Sequence, residues 1–87
     1  MIKVEPDITI YDSEYLRFVE IPKREGAKTR VIAVHAVRGD LLLGTIKWFG
    51  RWRQYTFWPE PETIFNRECL HHITGLITFL NAEPRKT

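Results

Sequence analysis

Residues 41–59 read LLLGTIKWFGRWRQYTFWP: two runs of β-forming residues, Leu41 to Phe49 and Trp52 to Trp58, joined through Gly50-Arg51 and closed by Pro59. A two-residue turn with glycine first, the type II′ preference, pairs Phe49 with Trp52, Trp48 with Arg53, Ile46 with Tyr55 and Gly44 with Phe57. A three-residue turn pairs Trp48 with Trp52 instead. The first register separates polar from apolar better. It places Ile46, Trp48, Tyr55 and Phe57 on one face and Thr45, Lys47, Gln54 and Thr56 at the centre of the other. Such a hairpin belongs to an antiparallel sheet packed on one side and wet on the other.

Upstream, two further β-rich runs precede it. Leu16 to Ile21 (LRFVEI) ends at Pro22, which has no N–H for a ladder. Lys23 to Lys28 (KREGAK) is polar, basic and centred on Gly26, which predicts a mobile hairpin loop. Arg30 to Val37 is rich in β-branched residues and ends at Arg38-Gly39-Asp40, a tight turn that matches an adhesion tripeptide only by coincidence of composition. Residues 1–14 form an acidic arm or edge strand, where Ile8-Thr9-Ile10 alternates and Pro6 limits extension.

Downstream, the Pro-rich connection 59–65 leads into a helix over 66–81. Cys69, Leu70, Ile73, Leu76, Ile77 and Leu80 recur every three or four residues and make one apolar stripe. Asn66 suits an N-cap, Phe65 and Leu70 occupy the positions of a hydrophobic staple, and Glu68 lies where the helix dipole favours an anion. Residues 82–87 read as a fraying tail. The expected fold is α+β: a four-stranded antiparallel meander, extended to five by Ile8 to Tyr11 or Thr63 to Phe65, on one C-terminal helix.

With 87 residues, 44% hydrophobic and 28% charged, the chain fits one domain over residues 1–87. Cys69 is the lone cysteine, so no intramolecular disulfide forms, and a reducing cytoplasm is the expected location. The first residues, MIKVEPD, place acids where a signal peptide needs an apolar core, and no run approaches a membrane span. Secretion and membrane association are not expected.

The net charge of +2 conceals a partition. Residues 1–14 hold four acids and one base (−3), residues 15–58 nine bases and three acids (+6), and residues 59–87 three bases and four acids (−1). Bases interleaved with aromatic residues can neutralise phosphates and stack on nucleobases. Arg30, Lys47, Arg51 and Arg53 are therefore the candidate contacts to nucleic acid or another anionic partner, with Phe49, Trp52 and Trp58 as stacking or interface anchors. In a small sheet the same residue types also serve as core and as covers for apolar area.

Catalytic and metal chemistry find less to work with. Cys69, His72 and His35 are the one set whose types could ligate an ion, but no second Cys or His pair has zinc-finger spacing, so no metal or cofactor is expected. His71 and His72 point about 100° apart on a helix, and Glu60 and Glu62 sit in a solvated loop. The glycines are too dispersed to cradle phosphates. His35 falls near Gly44 in the register across Gly39-Asp40, which predicts a buried structural imidazole.

Residues 43–81 resemble a group of small uncharacterised proteins of bacteria, phages and prophages. The shared features are Gly44, Ile46, Lys47 and Trp48; Trp52, Arg53, Tyr55, Phe57 and Pro59; and Asn66, Cys69 and Leu70. The resemblance implies a mobile-element setting, and with it a regulator or a counter-defence, anti-CRISPR-like inhibitor of host defence. The strand-strand-helix order and the Gly50-Arg51-Trp52-Arg53 tip are more loosely similar to three-stranded DNA readers of the AP2 and integrase arm-binding kind. The longer connection 59–65 and the strands before His35 depart from that plan.

The resulting expectation is a non-enzymatic binding protein whose basic, aromatic sheet and hairpin tip meet nucleic acid or a nucleic-acid-associated host protein. The alternative is a protein–protein inhibitor or adaptor that docks through an exposed aromatic patch or an edge, including as a homodimer.

Overall fold

The computed structural model describes residues 8–84; the first half of the acidic arm and the last three residues of the tail lie outside the described residues. Five strands, β1 (Ile8–Asp12), β2 (Leu16–Ile21), β3 (Val31–Ala36), β4 (Leu42–Phe49) and β5 (Gln54–Pro59), precede a helix, α1 (Arg67–Ala82). The sheet is an antiparallel meander in the order β1-β2-β3-β4-β5. The fifth strand is the Ile8 run; Thr63 to Phe65 is irregular connection.

Parity assigns the faces as expected. Cross-strand rows Ile8–Glu20–Ile32–Ile46–Phe57 and Phe18–Val34–Gly44–Pro59, with Trp48–Tyr55, face the helix. Leu16, Phe18, Ile32, Val34, Ile46 and Tyr55 are buried there against Cys69, Ile73 and Leu80. Full burial of a side chain of this size contributes about 1.5–3 kcal/mol. Lys47, Gln54 and Trp58 lie on the uncovered face and are exposed.

The registers within the hairpins differ from expectation. Phe49 pairs with Gln54, Trp48 with Tyr55, Ile46 with Phe57 and Gly44 with Pro59, so the β4–β5 turn has four residues, 50–53. Phe49 O accepts from Trp52 N at 3.1 Å and from Arg53 N at 2.9 Å. Arg53, not Gly50, takes the left-handed conformation (φ 55°), so a glycine-first type II′ turn does not form. The shift is two residues, and an even shift leaves every side chain on its predicted face.

Between β3 and β4 a bulge at Val34/His35 sets Val34 opposite Gly44 and His35 opposite Leu42. His35 is therefore not seated over Gly44. Its Nδ1 lies 3.4 Å from both the carbonyl and the carboxylate of Asp40, in the turn where Gly39 and Asp40 have positive φ.

Helix α1 begins as its sequence signals predict, with Asn66 Oδ1 accepting from Cys69 N at 2.8 Å. Phe65 meets Phe57 edge-on at 5.2 Å, and Leu70, its expected staple partner, is exposed. The other helix end is tied to the sheet. Asn81 Oδ1 accepts from Tyr55 N at 2.7 Å, and the Tyr55 hydroxyl accepts from Arg30 N at 3.0 Å. Among the described residues, no helix is long and apolar enough to cross a membrane.

Candidate nucleic-acid interface

In an antiparallel meander, alternate connections share an end of the sheet. The β2–β3 loop and the β4–β5 turn therefore emerge side by side, because Ile21, Val31, Lys47 and Thr56 align in one row. These two connections carry Lys23, Arg24, Lys28, Arg51 and Arg53, all exposed, against the single acid Glu25. The turns and connection at the opposite end hold Glu14, Asp40, Glu60 and Glu62 against Arg38 alone. Charge is thus polarised along the strands.

The uncovered face begins at the basic end. Its middle row, Val19–Ala33–Thr45–Trp58, is short-chained until the tryptophan. Trp58 is fixed on three sides: Nε1 donates to Thr56 Oγ1 at 2.8 Å, Phe49 meets it edge-on at 5.7 Å, and Lys47 Nζ stands 4.5 Å over its ring. Phe49 also meets Trp52 edge-on at 5.0 Å, so the three proposed anchors form one cluster. Trp52 is 64% exposed and Trp58 42%. A groove of about 410 Å³ continues from Lys47 along Thr45, Val31 and Ile21 to Lys23 and Arg24.

Of the four cations read from sequence, the structure sets Lys47 on this face and Arg51 in the exposed turn at its end; Arg53, in the same turn, borders a cavity of about 190 Å³ on the helix side with Trp48, Tyr55, Leu80 and Glu83, and Arg30 turns away from the open face. Residue 30 takes the parity of Ile32 and turns under the sheet, toward the helix. Its Nε and Nη2 donate to Glu20 at 2.7 and 2.9 Å, and its Nη1 donates to both oxygens of Glu83 at 2.8 Å. The hydrogen bond to Glu20 raises its pKa above the ordinary guanidinium value; burial opposes this and Glu83 adds to it. A cation already bracketed by two carboxylates has little left for a phosphate. In its place come Lys23 and Arg24, which the two-connection rule of a meander would have located from sequence.

Cys69 and His72 lie beneath the sheet, where His72 Nδ1 meets the Tyr11 hydroxyl at 2.9 Å, whereas His35 occupies a position of opposite parity on β3. Among the described residues, no three His, Cys, Asp or Glu side chains come together as a metal site would require. The arrangement on the open face suits the chemistry of stacking and charge neutralisation: flat rings held at fixed orientation beside flexible cations.

No protein-family model matches the chain, and no solved structure does. A curated sequence that is similar to it is the "Uncharacterized 9.3 kDa protein" of Acholeplasma phage L2. The two are 39% identical over 77 residues, which cover 88% of this chain and 97% of that protein.

Proposed function

From a chain that belongs to the family of the 9.3 kDa protein of Acholeplasma phage L2, we propose a non-enzymatic phage-type protein that binds nucleic acid through the open face of its sheet and the adjoining loops. One observation carries this reading: the aromatic cluster Phe49, Trp52 and Trp58, in which both tryptophans are exposed, runs from the middle of the open face to the end of the sheet where Lys23, Arg24, Lys47, Arg51 and Arg53 gather. Phosphate neutralisation supplies affinity without sequence information, and ring stacking adds sequence-tolerant contacts. Nothing in this mode needs a metal or a cofactor.

The test is a mobility shift with mixed-sequence nucleic acid at about 50 mM salt, repeated as salt is raised. Five engaged cations give a slope of log affinity against log salt of about −3.5 to −4.5. The Arg51→Glu, Arg53→Glu double substitution, on exposed turn residues, removes the shift and leaves the melting temperature unchanged within a few degrees. Absence of any shift with wild-type protein overturns the proposal. A protein partner that survives nuclease treatment would then favour the inhibitor or adaptor role, acting on a host defence or nucleic-acid-handling machine.

A further inference from the structure

We infer that the nucleic acid taken by this surface is single-stranded, with bases stacked on Trp58 and Trp52 and phosphates along the basic end; the inference rests on the nucleic-acid reading above. The rings decide it. In a duplex the base faces are buried in the stack, so exposed aromatic rings at fixed orientation have nothing to cover except at duplex ends. A single strand offers one π-face per nucleotide.

The dimensions of the sheet agree. Five strands at the usual spacing put about 19 Å between the outer two, whereas the major groove of B-DNA is about 12 Å wide. Groove reading also needs long polar side chains rising from the sheet to meet base edges. Here the open face around Trp58 is Thr45, Thr56 and Ala33, with Lys47 and Gln54 the only long polar groups on its β4 and β5 positions; Arg17 and His35 stand at the far corner, engaged with Asp12 and Asp40. Arg51 and Arg53 stand in the turn, at the rim. A floor that is short-chained at its centre (Val19, Ala33 and Thr45), exposed rings held edge-on to Phe49 and a cationic rim describe a platform rather than a groove-inserting element.

Lys47 links the two halves of the site. Its ammonium covers the Trp58 ring in the free protein. An incoming phosphate competes for that ammonium, and the ring it leaves is available to the base attached to the same nucleotide. Lys47 therefore occupies the stacking site until a ligand offers both groups.

Three labelled ligands of equal length, oligo-dT, oligo-rU and a mixed-sequence duplex, compared by fluorescence anisotropy at about 50 mM salt, test this. Single strands of either sugar bind at least about 10-fold more tightly than duplex. Trp58→Ala weakens single-strand binding roughly 5- to 150-fold, the equivalent of losing one stacked base, and leaves duplex binding unchanged. Trp52→Ala, on a turn residue that is 64% exposed, repeats the experiment at a position with little bearing on folding, and circular dichroism melts verify that both variants fold. Duplex binding equal to or tighter than single-strand binding overturns the inference and leaves the nucleic-acid reading standing. So does single-strand affinity indifferent to both tryptophans. Binding to none of the three ligands overturns the nucleic-acid reading itself.

Discussion

The ring of Phe57 lies against the backbone of Gly44: a Cβ at residue 44 would stand 2.6 Å from Cε1 and Cζ of that ring and 2.7 Å from the Trp58 carbonyl oxygen. The two residues are diagonal neighbours, since Gly44 is directly opposite Pro59. The missing side chain lets Phe57 fold onto the sheet and meet Phe65 at the start of the helix. Gly44→Ala should therefore cost about 1–3 kcal/mol by overpacking. Urea denaturation reads this as a lower midpoint at unchanged slope. Adding Phe57→Leu recovers only part of the loss, because the Trp58 carbonyl remains in the way. A wild-type midpoint for Gly44→Ala would show that the ring does not need the space.

The Gly44–Phe57 contact marks where the sequence could be read and where it could not. Parity in residues 41–59 gathers Ile46, Trp48, Tyr55 and Phe57 on one face and the 3.6-residue stripe from Cys69 to Leu80 announces a cover, but only the docked helix shows that this is the face it takes. Register was less legible. The left-handed turn residue is Arg53 instead of Gly50, and no propensity singles out an arginine for that conformation. The bulge beside His35 inserts Leu43 next to Gly44, a glycine that marks the strand without fixing on which side of it the extra residue falls. In the candidate site, the aromatic residues and Arg51 and Arg53 are picked out by the interleaving of bases with aromatic residues in a basic stretch of sequence. That Arg30 is engaged elsewhere is not legible there, because one of its two partners, Glu83, lies 53 residues along the chain and meets it only once the helix has docked.

Arg30 and Lys47 should separate cleanly by experiment. Arg30 holds the sheet to the end of α1 through Glu20 and Glu83, and its side chain is 22% exposed. Arg30→Met leaves two facing carboxylates without their cation and should cost about 2–3 kcal/mol, with Glu20→Gln and Glu83→Gln restoring part of it. Because the folded-state pKa of Arg30 is raised, its stabilisation is complete below the ordinary guanidinium value and is lost only above it. Titration of Arg30 itself therefore adds no slope to stability between about pH 6 and pH 9. Lys47→Met should change stability little and reduce the salt slope of oligonucleotide binding by about 1. Exchanged outcomes, with Arg30 carrying the salt slope, would return Arg30 to the binding surface.

Asn66 closes the first turn of α1 through its bond to Cys69 N. Asn66→Ala should cost about 1 kcal/mol, a fall in melting temperature of about 4–8 °C for a chain of this size. Asn66→Asp keeps the acceptor and adds charge at the positive end of the helix dipole, so its melting temperature should equal or exceed that of the wild type. Equal losses for both substitutions would mean that the amide group, not the cap oxygen, is what the site requires.

Arg53 sits in the left-handed region at φ 55°, with its N–H bonded to Phe49 O and Gly50 O. For a residue with a Cβ this conformation costs roughly 1–2 kcal/mol, and glycine avoids the cost while losing more unfolded-state entropy. Arg53→Gly should therefore raise stability by roughly 0.5–1 kcal/mol, measured as a higher denaturation midpoint. The same substitution deletes a cation from the basic end and should weaken nucleic-acid binding while lowering the salt slope by about 1. A more stable protein that binds less well is the signature of a strained residue retained for its charge. If Arg53→Gly gains stability and loses no affinity, the guanidinium lies outside the bound surface, and Lys23, Arg24, Lys47 and Arg51 must carry the phosphates without it.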